Sequence, residues 1–132
     1  MIRIPAGEVV YLSPTYEGSV HDKKICDEEE LEFPEEIKLL QDLGFQGHHP
    51  KNVKVEMPKK NTKLHRLTEM DKKENKEKSS KRVKIEHTIS GIKRCRILKD
   101  EYRNRRNGFE DTVMLLCCGL HNFRIKHRQS ST

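Results

Sequence analysis

Apolar and polar positions group along this chain so as to mark out six elements. Glu8-Val9-Val10-Tyr11-Leu12 is a β-branched and aromatic run bounded by Pro5-Ala6-Gly7 and Ser13-Pro14, which predicts a strand. Thr15 to Ser19 is turn chemistry, and Ser19 is placed to cap a helix starting near Val20. The acidic stretch from Asp27 to Glu36, broken by Pro34, holds the end of that helix and a loop. Ile37-Lys38-Leu39-Leu40 is a short apolar run; Gly44, Gly47 and His48-His49-Pro50 punctuate it as a strand followed by a loop. Val53-Lys54-Val55-Glu56-Met57-Pro58 alternates apolar with polar and predicts a third strand, with Lys59 to Leu67 as a polar connection.

A long helix is expected from about Thr68 to Asn104, with Ser79-Ser80 as a point of interruption. Thr68 and Asp71 form a weak capping box at its start. Ile85, Ile89 and Ile92 recur at i, i+4 and i+7, one apolar stripe. Asn107-Gly108 closes the segment, and Val113 to Phe123 predicts an apolar helix with Gly119 as an internal weak point. The order strand, helix, strand, strand, long helix, helix suits an α/β fold, helices packed on a mixed sheet. Three strands are few for an independent sheet.

Composition sharpens this. In 132 residues, 33% hydrophobic and 36% charged with no Trp, there is room for one small domain. That means a modest core beneath a charged surface, or a piece of something larger. No run approaches the ~20 apolar residues of a membrane helix, and the N-terminus lacks the apolar region of a signal peptide. The expected location is cytoplasmic, at the nucleoid when bound to DNA. Cys26, Cys95, Cys117 and Cys118 contain no C-x-x-C pair, and adjacent cysteines are a poor disulfide framework. They read as small buried hydrophobes in a reducing compartment.

Charge is split along the chain. Residues 1–50 carry 4 Lys/Arg against 11 Asp/Glu, whereas residues 51–132 carry 23 against 10. A basic part of this strength implies a polyanionic partner, most simply DNA. Lys93, Arg94, Arg96, Arg103, Arg105 and Arg106 are the candidate phosphate contacts, with a solvated helix face as the plainer reading.

Against that background three acids stand out. Glu86 is the one carboxylate in the run from Arg82 to Arg94. Asp42 follows a short apolar strand and precedes glycines, a place at the strand's C-terminal end where open α/β sheets bind ligands. Asp22 lies just inside a helix start. Three carboxylates suit Mg²⁺ or Mn²⁺ better than zinc, and a pair of such metals can activate a nucleophile and stabilise a leaving oxygen in phosphodiester transfer. From the residues alone, plainer roles stay open. Asp22 could serve the helix dipole, Asp42 could be a turn residue, and Glu86 could pair with Arg82, Ser90 or Lys93 on its own helix. Cys117 and His121, at i and i+4, lack the second pair a zinc site needs. His48-His49 reads as loop.

Four segments carry a family resemblance. Leu12 to Lys24, with Pro14, Tyr16, Gly18-Ser19 and His21-Asp22, resembles the "P-x-Y-x-G-S-x-H-D" segment of DDE-type transposases of the Harbinger-like insertion-sequence group. Asp42-Leu43-Gly44-Phe45-Gln46-Gly47 resembles that family's "D-K-G-Y-Q-G". Lys81 to Arg94 resembles "R-V-x-V-E-H-x-I-G-x-I-K-R". Gly108-Phe109-Glu110-Asp111 with Leu120-His121-Asn122-Phe123-Arg124 resembles "G-F-E-D…L-H-N-F-R". The four occur in family order and span nearly the whole chain.

The resemblance implies a partial ribonuclease H-like α/β domain, its first strands missing, over residues 1–127 with a polar tail at 128–132. In the intact family such a domain cuts and joins DNA with divalent metals, Mg²⁺ or Mn²⁺. Carried over by position, Asp42 is the second acid of the catalytic triad, Glu86 the last, and Asp22 an additional metal-contacting acid. Leu43 stands where the family has Lys, and Phe45 where it has Tyr. The family's first catalytic aspartate has no match here. The expectation is therefore a metal-binding C-terminal part, inactive alone, with DNA and an upstream-encoded half or a second copy as partners. The alternative is a non-catalytic DNA-binding remnant of a mobile element.

Overall fold

The structure is a computed structural model, which describes residues 1–41, 43–63 and 66–129. It is mixed α/β. In chain order come β1 (Ile2–Arg3), β2 (Val9–Tyr11), α1 (Asp22–Glu28), β3 (Ile37–Leu40), β4 (Val53–Glu56), α2 (Glu69–Ile92) and α3 (Phe109–Gln129). Short 3-10 turns occupy Leu43–Phe45 and Arg96–Leu98. The chain divides into two compact units, Met1–Thr15 with everything from Arg82 onward, and Tyr16–Lys81; α2 contributes residues to both.

The first unit holds the apolar core: Val9, Ile92, Val113, Cys117 and Cys118. Leu12, Cys95, Leu98, Tyr102, Phe109 and Met114 pack around it. β1 and β2 form an antiparallel pair closed by a turn in which Gly7 takes φ +99, a conformation that favours glycine. Val9 points inward and Val10 outward, the alternation a half-buried strand requires. Side chains from α3 hold the hairpin. Asn122 accepts from the Val9 N–H and donates to the Val9 carbonyl, both at 2.8 Å, pairing with the strand as another strand would.

In the second unit β3 and β4 pair in parallel, Ile37 opposite Val53 and Leu39 opposite Val55. Lys38 and Lys54 face each other on the exposed side, an unfavourable like-charge pair. The first half of α2 is nearly all polar and is held by specific contacts rather than an apolar face. The Asn75 side chain pairs with both the N–H and the carbonyl of Lys59, and Lys78 donates to the Met57 carbonyl. The Thr68–Asp71 capping box forms in full. Asp71 accepts from the Thr68 N–H and hydroxyl, and Thr68 Oγ1 accepts from the Asp71 N–H.

The pattern reading holds for the strands at Val9–Tyr11, Ile37–Leu40 and Val53–Glu56, and needs correction elsewhere. A strand at Ile2–Arg3 had no apolar alternation to announce it. The pairs are separate two-stranded ladders among the described residues rather than one mixed sheet. α1 starts at Asp22 after an extended His21, not at Val20 behind Ser19. α2 runs unbroken through Ser79-Ser80 and ends at Ile92, well short of Asn104. Ile92, Cys95, Leu98 and Tyr102 do recur at near-helical spacing, but a 3-10 turn and an irregular segment bring them to the core. α3 extends to Gln129, into the stretch read as a tail; residues 130–132 lie outside the described residues.

Candidate metal-binding carboxylates and their supports

Asp22 is the first residue of α1, its carboxylate exposed. The turn after position 42 is laid directly on that first helical turn, and two glycines permit it. A Cβ on Gly44 would sit 3.1 Å from Asp22 Oδ2, and one on Gly47, at φ +90, 3.1 Å from Lys23 Cε. The Gly44 and Gly47 positions of the "D-K-G-Y-Q-G"-like segment thus let the main chain approach the helix that carries Asp22. Asp42 itself lies outside the described residues. Its neighbour Gln41 is buried and continues the β3–β4 pairing through its N–H to the Glu56 carbonyl at 3.0 Å.

His48 fixes the far end of the same turn. It is buried, its N–H donates to the Phe45 carbonyl, and its Nδ1 lies 3.1 Å from Asp27 Oδ1. A hydrogen bond from Lys23, and then His48, holds the Asp27 carboxyl below the usual carboxylate range. His48 therefore anchors the loop, in keeping with the reading of His48-His49 as loop rather than as a ligand pair.

Glu86 lies on α2 in the first unit. Thr88 and Ile92 are buried, Ile85 and Ile89 half-buried, and Glu86 is exposed. Among the described residues its carboxylate joins no ion pair or hydrogen bond. Arg82 and Ser90 on the same helix, and Lys93 just beyond its end, do not engage it.

The C-terminal motif residues serve as supports, which the sequence reading missed. Asp111 accepts from the N–H and hydroxyl of Thr15. His121 is buried with Nε2 3.3 Å from the Gly7 carbonyl, and Arg124 donates to the Gly91 carbonyl at 3.0 Å. The "L-H-N-F-R"-like segment thereby ties α3 to the hairpin and to α2. The signal in sequence was a polar triplet on an apolar helix. Cys117 is buried beside Cys95, and burial, then that neighbour's hydrogen bond, pushes its thiol up to about 11. Such a thiol stays protonated and is a poor metal ligand, so the Cys117–His121 pair belongs to packing.

The six candidate phosphate contacts are exposed but do not share one helix. Lys93 and Arg94 follow the end of α2, Arg96 opens a 3-10 turn with its Nε 3.6 Å from Asp100 Oδ2, and Arg103, Arg105 and Arg106 lie in the connection to α3.

Oxygen donors such as Asp22 and Glu86 fit a hard divalent cation. Among the described residues, no three of His, Cys, Asp and Glu are gathered as a metal site. No helix of the described residues is long and apolar enough to cross a membrane.

Comparison with known proteins bears on these acids. No solved structure matches the chain. A probable transposase for insertion sequence element IS702 from Microchaete diplosiphon is 30% identical over 108 residues, which is 82% of this chain and 39% of that protein. The chain thus spans well under half the length of this curated relative. The model of the DDE superfamily endonucleases matches residues 1–122. With nearly the full chain covered, and the carboxylate-bearing segments inside the match, this protein belongs to the DDE superfamily endonucleases.

Proposed function

We propose that the chain forms the C-terminal part of a transposase catalytic domain of ribonuclease H-like type, which cleaves DNA strands and joins them. Asp42 and Glu86 are its catalytic carboxylates, and Asp22 is a further metal-contacting acid. The observation that carries this reading is Glu86. It is an acid exposed and, among the described residues, unpaired on a helix rich in cations, inside a segment that resembles the family's last catalytic motif. An acid needed only for the helix would be expected to take one of the adjacent lysines or arginines.

Mg²⁺ or Mn²⁺ held by these carboxylates would supply Lewis-acid activation of the attacking oxygen and stabilisation of the leaving one. The chain's own residues do the rest. Gly44 and Gly47 let the turn after Asp42 settle on α1, His48 and Asp27 pin that turn, and Ile85, Thr88 and Ile92 fix the orientation of the helix bearing Glu86. A third acid of the triad comes, in this reading, from polypeptide outside residues 1–132, whether of the same chain or another. The partner is DNA, and the protein works in the cytoplasm at the nucleoid.

Calorimetric titration with Mn²⁺ tests the assignment. Glu86→Ala and Asp42→Ala are each expected to weaken Mn²⁺ binding at least about 10-fold, since even outer-shell partners cost that much; unchanged binding in both sinks it. Mixing the chain with the polypeptide encoded just upstream is expected to give Mn²⁺-dependent strand cleavage that Glu86→Ala abolishes. Cleavage by the chain alone would overturn the need for a third acid. The second reading, a non-catalytic DNA-binding remnant, is favoured by the exposed cations Lys93, Arg94, Arg103, Arg105 and Arg106. It predicts DNA binding with no Mn²⁺ dependence in any mixture.

A further inference from the structure

We propose that the first unit carries a groove for the phosphate backbone of duplex DNA, formed by Arg3, Lys84, His87, Arg94, Arg124 and Arg128. The groove encloses about 520 Å³ and contains no carboxylate among the residues that line it. Two helix faces build it. α2 and the residues just after it supply Lys84, His87 and Arg94, spaced three and seven apart, while α3 supplies Arg124 and Arg128, four apart. β1 adds Arg3. The floor is close-packed main chain and imidazole, with His121 between Gly7 and Gly91 and Arg124 bonded to the Gly91 carbonyl.

Several cations elsewhere in the protein are neutralised locally. Lys59 meets Asp71 and Glu74, Lys72 meets Glu69, and Lys126 meets Glu8. In the groove, Arg3, Lys84, Arg94 and Arg124 have no carboxylate in ion-pair range among the described residues. Arg3 is half-buried, and its Nε is shut off from solvent with no hydrogen-bond partner. Burial lowers its pKa, so the site holds a desolvated cation that a bound anion would compensate.

The length of the groove selects a polyanion. Lys84 to Ile92 spans about 12 Å at the helical rise, with Arg94 just beyond, a length over which a duplex lying alongside presents about three phosphates of each strand, one per ~3.4 Å of its axis. A single small anion would leave most of these cations uncompensated. Glu86 directly precedes His87, so a strand lying here runs along the helix that bears the proposed catalytic acid. The naming of DNA rests on the function proposed above; the anion site does not.

Fluorescence anisotropy with a labelled random-sequence duplex, in EDTA, tests the groove apart from any metal. Lys84→Glu with Arg128→Glu is expected to weaken binding at least about 10-fold and to reduce the magnitude of the log–log salt slope by about 2. Lys51→Glu with Lys54→Glu, two exposed lysines of the other unit, serves as the charge-matched control. Equal loss in both pairs, or none in the groove pair, overturns the proposal. So does preference of the groove for inorganic pyrophosphate or single-stranded RNA over duplex. Glu86→Ala is expected to retain duplex binding, so a failure of the catalytic reading and a failure of the groove give different results. Circular dichroism confirms that each variant is folded, and the milder Lys84→Gln with Arg128→Gln replaces any that is not.

Discussion

The His121 ring fills the space that a side chain on Gly91 would need: a Cβ there would lie 2.7 Å from both Cε1 and Nδ1. Gly91 is inside α2, where Ala is favoured by about 1 kcal/mol on helix propensity. The buried His121 cannot yield without losing its contact with the Gly7 carbonyl. Overpacking therefore outweighs propensity, and Gly91→Ala is expected to destabilise the protein by about 1–3 kcal/mol in urea unfolding. Combining it with His121→Ala should give strong coupling in a double-mutant cycle. A rise in midpoint for Gly91→Ala would show that the close approach imposes no constraint.

Gly119 is the opposite case. It lies within α3, is exposed, and a Cβ added there meets nothing within 4 Å. Only propensity is in play, so Gly119→Ala is expected to stabilise by about 1 kcal/mol. A thermal melt that shifts downward instead would mean that this face is covered in solution.

Asn122 supplies α3's hydrogen bonds to the backbone of β2 at Val9. Asn122→Leu leaves a part-buried donor and acceptor without partners, at a cost of about 2–3 kcal/mol. Asn122→Asp keeps the acceptor but loses the donor and is expected to fall between the two. Amide exchange at Val9 measures the effect directly; equal protection in wild type and Asn122→Leu would contradict it.

Lys59, then Thr68, holds the Asp71 carboxyl well below the usual carboxylate range, and Lys23, then His48, does the same for Asp27. A depressed folded-state pKa means that the stabilisation is fully present above the unfolded value and is lost as pH falls through the folded one. Acid titration followed by helical circular dichroism is therefore expected to show loss of signal below pH 3.8. Asp71→Asn should begin with less helix and show a shallower acid response. An identical response in the variant would remove the capping box from the account of α2.

Leu116, Leu120 and Phe123 lie at i, i+4 and i+7 on α3 and are 63%, 47% and 60% exposed. An apolar stripe of this kind marks an interaction surface or an aggregation liability. Native protein is expected to bind an apolar dye such as anilinonaphthalene sulfonate, and Leu116→Ser with Phe123→Ser to lower that signal several-fold. Dye binding that is unchanged would place the apolar surface elsewhere.

Much of the local structure was legible in the sequence because it depends on local chemistry. The alternation at Val53–Glu56 marks a strand wherever it is placed, and Thr68–Asp71 caps a helix without outside help. The end of α2 was not legible. From sequence the helix is expected to run on to Asn104, and Ile92, Cys95, Leu98 and Tyr102 are indeed buried or half-buried at near-helical spacing, but spacing records which residues are buried and not the backbone path that buries them. The acids were singled out by residue type and by family resemblance, while the supports of α3 were missed because their partners are far away in sequence, as Asn122 is from Val9.

The sequence by itself determined the apolar runs, the caps, the basic character of the C-terminal part and the family to which its motifs belong. Those properties are carried by short segments and survive without tertiary contacts. Only the tertiary structure decided that Gly44 makes room for Asp22, that Gly91 makes room for His121, and that Arg3 joins cations from two helices in one groove. Each of these depends on the close approach of backbones distant in the chain, and a close approach is a property of packed atoms that no local pattern of residues contains.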